Sequence, residues 1–378
     1  MSKILFCGNV VDDKTEYRNP LVSAAGNRFQ ANVISSLRAS GQEVNVKSYV
    51  SVPLTMEDRV NLQGYGEGCI VREPGKIGLL QSVLHFLKSL RSGLQEADCL
   101  MAYNVNYPWL LLPMMARKRK VKSCLILADY SGKEAVHGCL KKIYARLQLA
   151  SIRRYDVVVA LSANMNSYLN AKQKTIIVEG GITRELWENL AKSDKEKKER
   201  KVLLYSGLLS RVTGIEELIR KLECLKDTDA VKLVITGKGD LQEQIEKLAS
   251  TKSWIEYKGH LPYGEYVRLL KTADIVINPR NMDLPENQCN FPSKILDYLA
   301  TGAIVVSTRF PGWERFQAHI VFSDLDSIGQ VIQEIIDLKD VEFVQKSKKT
   351  YEENRRFAEE FIWDKQIRRI LNEVLNIE

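Results

Sequence analysis

The stretch from Ala273 to Thr308 constrains the fold more than any other part of the chain. It opens and closes on short β-branched runs, Asp274–Asn278 and Ala303–Thr308, of the kind found in parallel sheets covered on both faces. Between them lie a polar loop and a segment whose spacing predicts a helix of about three turns. Pro292 stands where its first turn begins, Gly302 lies just past its end, and Ile295, Leu296, Leu299 and Ala300 share one face. Ser293, Lys294 and Asp297 are left near the N-terminal end. Such an end presents unpaired N–H groups and about half a positive charge, which suits a phosphate. The helix start is therefore expected to hold a nucleotide diphosphate.

The rest of the chain repeats the same alternation. Strands are expected at Lys3–Cys7, Glu43–Tyr49, Asp98–Tyr103, Lys122–Ala128, Asp156–Ser162 and Thr175–Glu179. Helices are expected at Asn27–Ser40, Ile77–Leu94, Pro108–Arg117 and Glu134–Ser151, with a long loop from Val52 to Lys76. A charged run, 192–200, reads as a linker, and a second series follows. There Val202–Ser206, Val231–Thr236 and Trp254–Lys258 are strands, each running into a glycine turn. Thr213-Gly-Ile-Glu216 matches a capping box ahead of Ile215, Leu218, Ile219 and Leu222 at helical spacing. Tyr351–Leu375 reads as a long charged helix or a pair of helices. The fold class is thus α/β, with two Rossmann-like doubly wound domains whose strand ends face a central cleft. The expected domains are 1–191, 201–350 and a C-terminal helix, 351–378, that crosses back to the first.

Composition bounds the function. A length of 378 residues exceeds one ordinary core, and 45% apolar with 8% aromatic residues fits a globular protein. The start MSKILFCGNV lacks the long apolar region of a signal, which points to the cytoplasm. Seven scattered cysteines form no C-x-x-C pair and read as reduced thiols; with four isolated histidines, no metal site is expected. Part of the net charge of +8 is concentrated in Arg117–Lys122 (RKRKVK). That run reads equally as a solvated helix end or as a patch drawn to anionic headgroups. Nucleic acid is not an expected partner, because no aromatic residues interleave with these charges.

The order of the motifs resembles the GT-B glycosyltransferases, and within them the retaining group called family 4. The resemblance covers nearly the whole chain and rests on YSGLLSRVTG, VITGKGD, IEYKGHLP and FPSKILDYLATGAIVVST in the second half. In the first half SAAGNRFQANVISSLRASGQEVNV, VVVALSANMNSYL and VEGGI occupy the corresponding places, and FIWDKQIRRIL resembles the returning C-terminal helix. Each motif alone is weak; their joint order and spacing carry the likeness. Departures fall on the chemistry. The family's second glutamate, five positions before the glycine, is here Asp297, and the place of its first is Cys289, with Glu286 nearby. The arginine and lysine of the first turn fall on Leu208 and Thr213, and Arg211 is the cation within that loop. Pro292 removes one amide donor, while Ser293 adds a hydroxyl and Lys294 an ammonium. The usual histidine after an N-terminal strand is replaced by Ala128-Asp129, with His137 close in sequence.

The resemblance implies a nucleotide-diphosphate sugar, UDP-linked, as donor, with no tightly bound cofactor. It implies Arg211 and Lys294 as catalytic cations facing the departing diphosphate and Asp129 as a group facing sugar or acceptor, one candidate for a base. Single donors of this kind contribute about 3–4 kcal/mol where they have been removed. Gly26, Asn27, Gly207, Gly237, Lys238, His260, Leu261, Glu286, Phe291, Ser293 and Asp297 are the implied donor contacts, Asp297 through the ribose hydroxyls. The acceptor class implied is a saccharide or lipid-linked saccharide of surface polysaccharide synthesis, approached from the inner membrane face through Arg117–Lys122. Two other readings stand beside it: a nucleotide-sugar epimerase on the same architecture, and a regulatory protein that has lost activity. A dehydrogenase is disfavoured, since no GxGxxG follows the first strand.

Overall fold

A computed structural model describes residues 1–19, 22–51, 69–130, 138–190 and 199–375. The chain divides into two compact units, Met1–Glu179 with Trp363–Glu378, and Gly180–Ile362.

The first unit is built on a seven-stranded sheet in the order β3-β2-β1-β4-β5-β6-β7. Its strands are β1 (Lys3–Gly8), β2 (Glu43–Val50), β3 (Cys69–Val71), β4 (Cys99–Tyr103), β5 (Lys122–Leu127), β6 (Val157–Ala160) and β7 (Lys174–Ile177). All pairings are parallel. The central strands are buried end to end, as continuous β-branched and aliphatic runs demand. After a short helix α1 (Asp13–Arg18), α2 (Ala24–Ala39) connects β1 to β2 toward one edge. By contrast α3 (Gly75–Glu96), α4 (Leu112–Lys118) and α5 (Cys139–Ile152) connect strands running toward the other edge. Right-handed crossovers therefore put α3, α4 and α5 together on one face and α2 on the opposite one. A C-terminal helix, Trp363–Leu375, packs beside α2.

The second unit has a six-stranded parallel sheet in the order β10-β9-β8-β11-β12-β13. These are β8 (Lys201–Ser206), β9 (Val231–Thr236), β10 (Ile255–Tyr257), β11 (Ile275–Asn278), β12 (Ile304–Ser307) and β13 (Val321–Phe322). A core of aliphatic side chains from β8, β9, β11 and β12 meets helices Ile215–Leu222, Gln242–Thr251 and Ile328–Ile336. Helices Arg184–Leu190, Tyr263–Thr272 and Lys294–Thr301 pack on one another, and Asp340–Ala358 lies against the last of them.

Several local expectations are corrected. The segment read as loop from Val52 to Lys76 contains β3, and α3 begins at Gly75; residues 52–68 lie outside the described residues. The helix expected at 108–117 is split into a turn, Tyr107–Trp109, and α4, with Pro113 in the first turn of α4. Helix α5 starts at Cys139, and 131–137 are not described. The capping box is absent: Gly214, at φ +73°, occupies the N-cap, and the Thr213 hydroxyl donates to the carbonyls of Leu208 and Ser210. The tail takes the second of its two expected forms, a pair of helices, Asp340–Ala358 and Trp363–Leu375, parted at Ile362, which is extended and bridges Ile182. Most of the linker, 191–198, lies outside the described residues. The units part at Gly180 and after Ile362, where the sequence reading puts boundaries at 192 and 351. The reason is packing: the buried Arg355 donates to Ala300 O (2.9 Å) and Trp187 O (3.0 Å), binding both flanks to the second unit.

Candidate functional site

In the second unit the expected residues gather along the carboxyl ends of β8, β9, β10 and β11. Glycine turns form the floor. Gly237 has φ +143°, and a Cβ there would lie 1.8 Å from Gly207 O, so no other residue fits. Its N–H donates to Gly259 O at 2.9 Å, Gly207 N–H donates to Thr236 O at 3.0 Å, and the Tyr257 hydroxyl donates to Gly237 O at 2.7 Å. Lys238 is half-buried, and its carbonyl accepts from Leu209 N–H at 2.9 Å. His260 and Leu261 are half-buried on the turn after Gly259. Leu261 also lines a cavity of about 540 Å³ between the sheet and helix Tyr263–Thr272, walled by Val202, Val234, Lys232, Glu256 and Arg268.

The helix Lys294–Thr301 begins beside this floor, with Ser293 exposed as its N-cap. The turn closes through Ile295 N–H to Pro292 O (2.9 Å) and Leu296 N–H to Ser293 O (3.2 Å). Two tyrosines that the sequence reading missed fix it in place. The Tyr298 hydroxyl donates to Ser206 O at 3.0 Å and accepts from Ser206 N–H at 3.1 Å, locking the helix to the end of β8. The Tyr266 hydroxyl donates to Asp297 Oδ2 at 3.1 Å, and Lys294 Nζ lies 4.3 Å from the Tyr266 ring centroid. Burial, then the charge of Asp297, pushes the Tyr266 phenol well up, so it stays protonated and a donor. The available signal was one of pattern: Tyr266 stands on the buried face of its helix with Val267 and Leu270.

Other expected contacts are placed differently. Phe291 is buried against Phe310 (5.3 Å) and Phe316 (5.5 Å), so its ring anchors the loop before the helix. The Arg211 side chain is 83% exposed, and its Nε lies 3.5 Å from Glu216 Oε2, so it is turned onto its own helix start. Glu286 falls in the turn Pro285–Asn287, and its side chain lies outside the described residues. The same loop is braced by an unforeseen residue, the buried Asn287, whose amide donates to Val212 O (2.8 Å) and Asn281 O (2.7 Å). Gly214 makes that brace possible, because a Cβ there would meet Pro279 O at 1.8 Å.

In the first unit Gly26 and Asn27 stand in the first turn of α2, and Asp129 follows the end of β5. Asn27 is committed to the chain itself: it accepts from Val11 N–H (2.8 Å) and donates to Val11 O (3.0 Å) and Glu16 Oε2 (2.8 Å). Its side chain shapes the first loop, which leaves Gly26 as the close-approach position. A Cβ on Gly26 would lie 3.3 Å from the Tyr103 hydroxyl. Burial, then Asp129, pushes the Tyr103 phenol up. The exposed Asp129 is positioned by Asn104, whose Oδ1 accepts from the N–H groups of Ala128 (2.8 Å) and Asp129 (3.0 Å). Asn104 is itself one of two described non-glycine residues with positive φ, at +51°. His137 lies outside the described residues. Among the described residues no cluster of His, Cys, Asp and Glu could hold a metal ion, and no helix is long and apolar enough to cross a membrane.

Two doubly wound parallel units with glycine turns at their strand ends form the GT-B fold, which the chain shares with the solved structures described below. Residues 188–349, all within the second unit, match the family described as glycosyl transferases group 1. Solved structures of the same fold include Anabaena HepE in complex with UDP and glucose, at 15% identity, full coverage of both chains and a TM-score of 0.71. Sucrose-phosphate synthase from Thermosynechococcus elongatus shares 13% identity, covering 99% of this chain and 98% of that one, with a TM-score of 0.68. An uncharacterized glycosyltransferase of Methanocaldococcus jannaschii is 28% identical over 141 residues, 36% of this chain and 35% of that protein.

Proposed function

We propose that the chain is a retaining glycosyltransferase of the family 4 type that moves a hexose-type sugar from a UDP-sugar to a saccharide or lipid-linked saccharide in surface glycan synthesis. The observation that carries this reading is the Tyr266–Asp297–Lys294 cluster at a helix start facing the Gly207 and Gly237 turns. An N-terminal helix end, the Ser293 hydroxyl and the Lys294 ammonium suit the charge that develops on a departing diphosphate. Asp297 suits the ribose hydroxyls, and Asp129, held by Asn104, suits the sugar or the acceptor hydroxyl. UDP is the favoured donor base because the HepE structures of the same fold contain it. The basic run Arg117–Lys122 would hold the enzyme at the inner membrane face. The expected domain roles follow: acceptor in the first unit, donor in the second.

One observation favours a second reading, a nucleotide-binding protein without turnover. Arg211, the sole candidate to replace the family's first-loop cations, is paired with Glu216. A thermal-stability panel of UDP, GDP, ADP and CMP with their sugars separates the cases. A true ligand at 100 times its Kd stabilises by about 2.7 kcal/mol. UDP-selective stabilisation with sugar release onto an acceptor supports the transferase. Stabilisation without turnover supports the second reading, and no shift with any nucleotide overturns both.

A further inference from the structure

Most of the large apolar side chains left exposed among the described residues stand on one helical layer of the first unit. On α3 these are Ile77, Leu80 and Leu84; on α5 they are Leu140, Ile143 and Leu147, at the same i, i+3, i+7 spacing. Leu111 and Met114, at the start of α4, are exposed as well. The exposure is large, 75% for Ile77 and 83% for Leu140. In α5 only Ala145, Ser151 and Ile152 are buried, so its aliphatic stripe points away from the core. The three helices share a sheet face by the crossover argument above, and side chains hold α3 and α5 to the segment between β4 and α4. The Tyr107 hydroxyl donates to Tyr49 at 3.1 Å, Tyr49 packs on Phe86 of α3 at 5.3 Å, and Gln148 of α5 donates to Val105 O at 2.6 Å.

Charge selects the occupant. Helices α3, α4 and α5 carry eight lysines and arginines against one carboxylate, Glu96. A symmetric self-association would set this positive face against itself, which disfavours a second copy. Aliphatic stripes edged by cations match a surface with anionic headgroups over hydrocarbon. We infer that the α3–α4–α5 face inserts its aliphatic side chains into an anionic lipid surface. This deepens the membrane contact proposed for Arg117–Lys122, moving its centre from a charge run to an apolar face, and it does not depend on nucleotide chemistry.

The test is co-sedimentation of the full chain, without nucleotide, with phosphatidylcholine vesicles and with vesicles also containing phosphatidylglycerol. A polarity-sensitive dye on Cys139, exposed beside Leu140, reads insertion, and the same dye on the exposed Cys224 of the second unit serves as the control. The expected result is binding that requires phosphatidylglycerol, with a blue shift at Cys139 only. Ile143→Ser with Leu147→Ser, at unchanged charge, should weaken binding about tenfold. Both positions are exposed, and an unchanged melting curve checks the fold. Absence of vesicle binding, equal binding by the serine variant, or a dimer in solution that the same substitutions dissociate would each overturn the inference. None of these outcomes alters the UDP panel, so failure here is distinguishable from failure of the transferase reading.

Discussion

The Tyr266 hydroxyl donates to Asp297 Oδ2 at 3.1 Å, joining a buried phenol to a half-buried carboxylate at the start of helix Lys294–Thr301. A hydrogen bond to a charged group is worth about 1.5–3 kcal/mol, so Tyr266→Phe should lower stability by that amount in denaturant titration. Asp297→Ala removes the acceptor proposed for the ribose and should weaken UDP binding about tenfold or more by calorimetry. Tyr266→Phe keeps that carboxylate, so its UDP affinity should fall less. Equal losses in the two variants would mean that Asp297 serves the fold alone.

Gly237 and Gly264 give opposite predictions from the same substitution. At Gly237, φ of +143° and a Cβ 1.8 Å from Gly207 O leave no room without moving backbone. Gly237→Ala should cost about 3 kcal/mol or more and abolish the UDP-dependent shift. Gly264 sits in helix Tyr263–Thr272 with nothing near its would-be Cβ. Gly264→Ala should therefore stabilise by about 0.5–1 kcal/mol. Melting temperatures of the two variants decide the matter.

The sequence displayed the sheet architecture well because buried parallel strands such as Val157–Ala160 and Ile275–Asn278 are continuous β-branched runs. Helix Lys294–Thr301 was equally visible, since Gly302 at φ +67° ends it as expected. What stayed hidden depends on contacts between distant residues. Tyr266 and Tyr298 look like ordinary amphipathic positions until folding brings them to Asp297 and Ser206. Asn287 reads as loop polarity until its amide reaches Val212 O, 75 residues away. Asn27 and Arg211 show the converse: Val11 and Glu216 engage the very groups that the family resemblance assigns to a ligand, and no spacing in the sequence announces those contacts. The aliphatic stripe of α5 fits the helical period, yet period alone does not say which face of a helix meets the sheet.

Thiol reactivity follows burial. Burial pushes Cys69 up to about 11 and Cys99 up to about 12, and it also raises Cys7 and Cys124 well above the ordinary thiol value. At neutral pH these four are protonated and shielded, whereas Cys139 and Cys224 are exposed. Reaction with a disulfide reagent should modify Cys139 and Cys224 first, and Cys7, Cys99 and Cys124 only on unfolding. Mass mapping of the early products checks this.

Glu256, on the wall of the 540 Å³ cavity, stands between Lys232 and Lys258. Burial alone would raise its carboxyl, but the two ammonium groups outweigh it and hold the group below its ordinary 4.5. A depressed native value means that the folded state favours the charged form. The associated stability is present above 4.5 and drains away as the pH falls through the lowered native value. Glu256 is well solvated, so the effect is that of a surface pair, about 0.5 kcal/mol. Glu256→Gln also leaves Lys232 and Lys258 facing each other without a counterion. The variant should melt slightly below wild type at pH 7, and the gap should close in acid and in high salt. A gap that persists unchanged at pH 3 would show that the carboxylate's shape, not its charge, is what the cavity wall uses.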